Sequence, residues 1–239
     1  SALRKVAESA PQVLWKAKAF YDYALARSQE LDPEALVEAL DWAQRGQKIA
    51  PQSAGAEMCR HLVAEIQNPN YQIHSMLSDA AERPSILIEY KNLKKLYLRA
   101  YRLDLEKMAA AEKDYNFFPN SQQILAVMRG QKPTVQWEVE LAPTKDYREH
   151  RRMVVPPLKT KGYYLIIASS LPSFEEQTNN RVAGVHFVQT HLALATERTP
   201  DGSWKVRTYD GRSGERMANV ELRLYRFDWR TGHRLESTI

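Results

Sequence analysis

The chain has 239 residues, 44% of them hydrophobic and 26% charged, enough for one large domain or two to three small ones with real cores. No run approaches the about 18 apolar residues that a membrane-spanning helix needs, and a single cysteine, Cys59, excludes an internal disulfide framework. Lys plus Arg exceed Asp plus Glu by five, yet the basic residues are scattered, and the densest runs, "KNLKK" (91–95) and "REHRR" (148–152), read as solvated strand edges or turns, with no nucleic acid expected as a partner.

From the start to Gln67 the pattern is helical. The opening "SALRKVAESAPQVLW" lacks a continuous apolar stretch, so it reads as a trimmed or mature terminus, not as a signal peptide. Three amphipathic runs follow. In "VLWKAKAFYDYALARSQEL", Trp15, Ala19, Tyr23 and Ala26 recur at helical steps; in "EALVEALDWAQRGQKIA", Leu36, Val37, Leu40 and Ala43 share a stripe; Ser53 to Gln67 gives the third. Asp32, with Pro33 and Glu34 after it, is an N-cap signal. Three helices in this space predict an antiparallel bundle or a pair of helical hairpins. The Ala-rich pattern is similar to tetratricopeptide repeats, but no second copy appears at the right period. Met58, Leu62 and Ile66 recur with Cys59 and Val63 at helical spacing, so the sulfur is expected to face a packing surface and no chemistry is expected of it.

After "NPN" (68–70) the period shifts toward two. "ILIEY", "KLYLRAYRL", "TVQWEVELA", "GYYLIIASS", "VHFVQTHLALATE", "WKVRTYD" and "VELRLYRF" are short, β-branched and aromatic. Val135, Trp137, Val139 and Leu141 alternate with Gln136, Glu138 and Glu140, which predicts a strand with one face in a core and one in water. Pro-Asp-Gly at 200–202, Lys-Gly at 161–162 and Thr-Gly at 231–232 punctuate these strands. No helices alternate with them, so antiparallel sandwiches are expected. Residues 104–130 have helix-forming composition and read as a partly helical insertion.

"YDGRSGERMANVELRLYRF" (209–227) has two glycines in a polar run. A phosphate-binding loop needs wider glycine spacing, a following Lys-Ser/Thr, and a helix whose N–H groups converge on the anion. Gly211 and Gly214 are too close, and the next element is a strand with Val220, Leu222 and Leu224 on one face. The loop therefore reads as a chain reversal between two strands, with glycine supplying positive φ.

Other chemistry is not assembled either. His186 and His191 lie five residues apart on a strand, which sends them to opposite faces, and His61, His74, His150 and His233 are dispersed singletons. "FEEQ" (174–177) sits in a Ser/Pro/Asn-rich stretch, Ser169 to Asn180, expected to be a solvated interdomain linker. Trp137, Trp204 and Trp229 are expected to pack within or between sheets; exposed and coplanar, they would instead be a sugar-binding platform. No catalytic, cofactor or metal residue is expected.

Several stretches carry a family resemblance. Asp210, Ser213, Gly214 and Val220 in "VRTYDGRSGERMANVELRLYRF" resemble a turn pattern of the β-sandwich domains in bacterial α2-macroglobulins. "FVQTHLALATERTPDGSWKVRTYDG" is similar to the start of one such domain, while "PSILIEYKNLKKLYLRAYRLD" and "MVVPPLKTKGYYLIIASS" resemble the opening and close of the domain before it. "PQSAGAEMCRHLVAEIQNPNYQI" is similar to the helical region preceding these domains in Bacteroidetes-type members. The resemblance implies an α+β multidomain chain: a helical region at 1–69, a macroglobulin-like sandwich at 70–180 with its insertion at 104–130, and the start of a second, incomplete sandwich at 181–239. Family members that trap proteases use a bait segment and commonly a Cys-Gly-Glu-Gln thioester; here Cys59 is followed by Arg60, His61 and Leu62, so that role does not carry over.

The expected function is thus a non-catalytic structural fragment of a longer extracytoplasmic α2-macroglobulin-like protein in protease capture and envelope defence. Its partners would be other domains of the same chain and, through regions outside the fragment, proteases. The alternative is a carbohydrate- or cell-surface-binding sandwich.

Overall fold

The computed structural model describes residues 2–9, 13–75, 84–111, 119–178 and 180–239, among which six helices and eleven strands form an α+β chain. The chain divides into two units. A helical unit takes residues 1–71, 89–94 and 141–151, and a strand unit takes 72–88, 95–140 and 152–239.

In the helical unit, α1 (Ala2–Ser9), α2 (Val13–Ser28), α3 (Ala35–Ile49) and α4 (Ala54–Gln67) pack together. That is one helix more than the periodicity predicts. Trp42 anchors the core, with the rings of Phe20 and Tyr23 both edge-on at 4.9 Å, and Ala24, Ala39, Leu40, Ala43, Cys59, Leu62 and Ile66 fill the space around it. The expected stripes shift in two places. Trp15 is 68% exposed, because α2 faces inward through Ala17, Phe20, Tyr23 and Ala24, and Val37 turns outward while Trp42 takes the inside. Small residues bring the backbones close, and the large rings then close the remaining gap. Asp32 caps the approach to α3, its Oδ1 accepting the Glu34 N–H at 3.1 Å, although the helix itself begins at Ala35. Ser53 caps α4 through the Ala56 N–H.

Two later segments complete this unit. The Asn92 amide donates to the Ile66 carbonyl at 2.8 Å, and its backbone N–H donates to Thr144 Oγ1 at 2.8 Å. Tyr147 packs against the helical core, while Arg148 Nη2 donates to the carbonyls of Glu30 at 2.8 Å and Asp32 at 2.7 Å.

Glu38 accepts from the Tyr23 hydroxyl and from Arg27 Nε, both at 2.7 Å. Arg27 also pairs with Glu30 and Asp32. The Tyr23 bond, then Arg27, holds the Glu38 carboxyl below the usual carboxylate range, while burial and the Glu38 bond push the Tyr23 phenol up. A depressed carboxyl contributes stability that is present above the ordinary carboxylate value, about 4.3, and is lost as pH falls through the folded value. A raised phenol contributes stability below about pH 10, lost as pH rises through its folded value. The helical unit is therefore expected to weaken at both ends. Glu38→Gln should lower its melting temperature at pH 7 by a few degrees and flatten the acid limb of the curve, and a variant with an acid limb as steep as the parent's would count against this pair.

In the strand unit, β3 (Lys95–Leu103) lies between β4 (Val135–Glu140) and β6 (Gly162–Ser169), and β7 (Ala183–Gln189) adds beyond β6, giving a four-stranded sheet in the order β4-β3-β6-β7. All three pairings are antiparallel. Alternation sorts its side chains: Leu96, Leu98, Ala100, Tyr164, Ile166, Ala168 and Phe187 are buried on one face, while Tyr101, Leu165 and Ile167 pack with Ile124, Phe174 and Val182 on the other. Ile124 belongs to α6 (Ser121–Gly130), which a capping box opens: Gln123 N–H to Asn120 Oδ1 at 2.9 Å and Asn120 N–H to Gln123 Oε1 at 3.2 Å. With α5 (Leu105–Ala111) it lies between β3 and β4, in the stretch 104–130, of which residues 112–118 lie outside the described residues.

The division of the chain falls within β1 (Asn70–Ser75), β2 (Ile86–Lys91) and β5 (His150–Val154), which form a sheet in the order β1-β2-β5. Two antiparallel hairpins follow, β8 (Leu192–Arg198) with β9 (Trp204–Asp210), and β10 (Arg223–Asp228) with β11 (Gly232–Thr238). The Pro-Asp-Gly and Thr-Gly turn signals fall at their tips, where Gly202 and Gly232 have positive φ.

Two expectations are corrected. The second sandwich expected to start at 181 does not open with "VAGVHFVQ", because β7 hydrogen-bonds along β6 from Ala183↔Ala168 to Gln189↔Gly162. The segment Ser169 to Asn180 is likewise not a solvated interdomain linker: it joins adjacent strands of one sheet, and Ser169, Phe174 and Asn180 are buried. The Asn180 side chain accepts from the Ser170 N–H at 2.9 Å and donates to the Glu175 carbonyl at 2.6 Å. Phe174 holds φ at 60°.

Candidate functional site

The glycine-bearing loop is a reversal, though of a different kind from the one expected. Asp210 Oδ1 accepts the Arg212 N–H at 2.8 Å, and the Asp210 carbonyl accepts the Gly214 N–H at 2.8 Å. The chain then runs back beside β9 for a few residues, with the Tyr209↔Arg216 bridge and the Met217 N–H on the Thr208 carbonyl at 2.9 Å. It does not continue as a strand paired with β9: the next strand begins at Arg223 and pairs with β11. Gly214 has φ 73°, and a Cβ there would meet nothing within 4 Å. The cost of a side chain is purely conformational. Gly214→Val is expected to destabilise this turn by about 1–2 kcal/mol, read as a lower urea midpoint and faster hydrogen exchange at the Gly214 and Met217 amides; an unchanged midpoint would mean that the positive φ is not required.

The thiol of Cys59 is buried in the helical core, where Sγ–H donates weakly to the Ala17 carbonyl at 3.7 Å and burial pushes its pKa up to about 11. A thiol so placed is protonated at neutral pH and inaccessible to a substrate. The histidines lie apart in separate settings. His61 pairs with Glu57 on the surface of α4, and His150 with Asp146 at 2.9 Å. His186 bonds through Nδ1 to the Tyr163 hydroxyl; burial depresses its imidazole and raises the Tyr163 phenol to about 12. His191, in the turn after β7, accepts from Lys161 Nζ at 3.3 Å and lies 3.7 Å from Asp210. His233 stands beside the Phe227 ring, and His74 lies on β1. Among the described residues no three His, Cys, Asp or Glu side chains come together as a metal would require.

The basic runs are tied into the fold. Arg148, His150 and Arg151 bond to Glu30 and Asp32, Asp146 and Glu89 respectively, and Arg152 donates to the Glu140 carbonyl. Lys91 reaches the Glu65 carbonyl, and Lys95 bridges Glu138 and Glu140 at 3.0 and 2.8 Å. The tryptophans depart from expectation. Trp137 is half-buried, but Trp204 and Trp229 are 66% and 73% exposed. Arg230 stacks on Trp229 at 4.6 Å.

Two concavities of the strand unit bear on the site. One, about 560 Å³, lies between α5 and the β10–β11 hairpin. Its cation, Arg223, is already paired with Glu106 and Glu221. The other, a groove of about 340 Å³, runs over the face of β3 and β4. Tyr97 lies opposite Glu138 and Arg99 opposite Gln136, so the four side chains share one face. The Arg99 guanidinium lies 4.0 Å over the Phe174 ring, donates from Nη2 to the Pro172 carbonyl at a long 3.4 Å, and keeps a buried Nε–H with no acceptor. Sequence reasoning passed over Arg99. Its signal was a lone cation between Tyr97 and Tyr101 on the alternating face of "KLYLRAYRL".

The fold is thus that of an α+β chain in which packed helices precede antiparallel sheets. Among solved structures it is similar to native alpha-2-macroglobulin from Escherichia coli in a fragment spanning domains NIE-MG1, with a TM-score of 0.50 and 11% identity over 72% of this chain and 82% of that one. A longer fragment of the Escherichia coli protein, spanning MG0-NIE-MG1, gives 0.46 and 11% over 65% of this chain and 47% of that one. At such identity the first likeness is one of fold alone. No family model matches the chain, and no curated protein does. No helix among the described residues is long and apolar enough to cross a membrane.

Proposed function

We propose that the chain is a non-catalytic structural part of a bacterial α2-macroglobulin-like protein, with a helical bundle leading into a macroglobulin-like sandwich and the beginning of another. The observation that carries this reading is the fold likeness to the NIE-MG1 fragment, at a TM-score of 0.50 over 82% of that fragment, together with a helices-then-sheets order that the sequence resemblance also implies. The seven strands β1 to β7, in sheets of three and four, are the material of that first sandwich. The two hairpins after them, with apolar side chains such as Leu194, Trp204, Leu224 and Leu235 exposed, suit a second domain that further strands would complete, since isolated hairpins are marginal in water.

In this reading the parent protein acts outside the cytoplasm, in protease capture and envelope defence, and this part holds other domains in place. It turns over no substrate: its one thiol is buried and protonated at neutral pH, and its histidines are held singly. The test uses the full-length protein that contains this sequence. After incubation with a panel of endoproteases it is expected to be cleaved and then to shield the protease from protein substrates while small chromogenic peptides are still cut. Undiminished proteolysis of a protein substrate by every member of the panel would refute the capture role.

A second reading is favoured by one observation, the exposure of Trp204 and Trp229. Aromatic faces in water suit stacking on sugar rings. Quenching of Trp fluorescence by soluble glycans, lost in Trp204→Ala or Trp229→Ala, would favour a carbohydrate-binding module over the macroglobulin reading.

A further inference from the structure

We propose that the groove over β3 and β4 is a binding site for a carboxylate side chain, Asp or Glu, presented by an extended peptide segment that lies along the edge strand β4.

The argument starts from Arg99. Its guanidinium lies over the Phe174 ring at 4.0 Å, and its hydrogen-bonding capacity lies in the plane of the group. The edge formed by Nε and Nη2 is the side-on fork that grips a carboxylate with two parallel bonds. On that edge Nη2 makes one long bond, 3.4 Å to the Pro172 carbonyl, and Nε, though buried, makes none. A buried N–H without an acceptor is costly, and sites that keep one call for an explanation. Phe174 adds a second cost, since an aromatic residue at φ 60° is strained. Both costs fall on the pair that shapes this groove.

The charge balance selects the ligand. Arg99 makes no ion pair among the described residues, whereas Glu138, opposite Tyr97 on the same face, is already bridged with Glu140 to Lys95. In the other concavity Arg223 is neutralised by two glutamates. Arg99 thus retains its cation for an incoming anion, and Tyr97, Pro172 and Phe174 offer apolar walls to the stem that carries it. The source follows from topology: β4 is the outermost strand of its sheet, so an extended segment can add backbone bonds along it while one acidic side chain reaches over to Arg99.

This inference rests on the geometry of the strand unit and not on the macroglobulin reading. The test titrates the whole chain with two pentapeptides, acetyl-Thr-Val-Glu-Val-Thr-amide and its Gln counterpart, and with acetate, while following the arginine Nε–H resonances. The Arg99 Nε–H signal, assigned by its loss in Arg99→Lys, is expected to shift with the Glu peptide, with at least tenfold weaker binding of the Gln peptide. Arg99→Lys keeps the charge but lacks the fork, and is expected to weaken the Glu peptide at least tenfold with the melting temperature unchanged. Equal binding of the two peptides, binding that survives Arg99→Lys, or no shift up to millimolar peptide would overturn the proposal. Acetate saturating the signal at the same concentration as the Glu peptide would overturn the peptide part, leaving a site for small carboxylates.

Discussion

Gly55→Ala is expected to destabilise the helical unit, although the substitution improves helix propensity. Alanine in a helix is favoured over glycine by about 1 kcal/mol. Here the added methyl would sit 2.5 Å from the Lys18 backbone N, 2.8 Å from the Ala17 carbonyl carbon and 2.9 Å from Lys18 Cα. All three atoms belong to the backbone of α2, which cannot rotate away as a side chain can. Overpacking against a rigid partner costs about 3 kcal/mol, so the net loss is about 2 kcal/mol or more. Urea titration followed by far-UV circular dichroism should show the loss as an earlier helical transition. A midpoint equal to or above the parent's would mean that α2 and α4 do not touch at Gly55.

Asn180→Ala should be costlier still for the strand unit. The Asn180 side chain satisfies the Ser170 N–H and hydroxyl, at 2.9 and 2.6 Å, and bonds Ser169 Oγ and the Glu175 carbonyl. Alanine leaves a backbone donor and a backbone acceptor without these partners at part-buried positions, at about 1–3 kcal/mol each, and about 3 kcal/mol together is the expected loss. Asn180→Asp keeps the acceptor yet sets a carboxylate against the Glu175 carbonyl, so it should not rescue. Hydrogen exchange locates the effect: the Ser170 amide and the β6–β7 ladder from Ala168 to Gly162 should lose protection first. Retained protection there would show that the connection is held by the strands alone.

The sequence makes some of this legible. β4 stands out because Val135, Trp137 and Val139 alternate with polar residues, and the pattern survives in the structure, where Val139 is buried and Gln136, Glu138 and Glu140 face water. Where two structures share one composition, the reading fails. Ser169 to Asn180 has the Ser, Pro and Asn of a linker, yet an asparagine buried by its hydrogen bonds has the same letters as one left in water. The return from the 210–214 turn was misread for a topological reason, since alternation reports a strand but not its partner, and β10 pairs with β11. On α2, Trp15 and Ala19 lie at helical spacing as surely as Phe20 and Ala24 do; the choice of face was made by the small residues beside α4, which one-dimensional periodicity does not weigh. Arg99 was visible as a cation on an alternating face, but Phe174, over whose ring it lies, comes from a connection far along the chain.

The helical unit draws on residues 89–94 and 141–151 as well as on its four helices, and this bears on the order of events during synthesis. A chain emerging from the ribosome exposes α1 to α4 long before Asn92, Tyr147 and Arg148 exist to close the ends of α2 and α4. Until residue 151 has left the tunnel the four helices form an unfinished body, while β2, β3 and β4 are already outside. The N-terminal unit is thus not complete when its own helices have emerged, and a gene cut after Gln67 would yield helices without the side chains that tie down their loops.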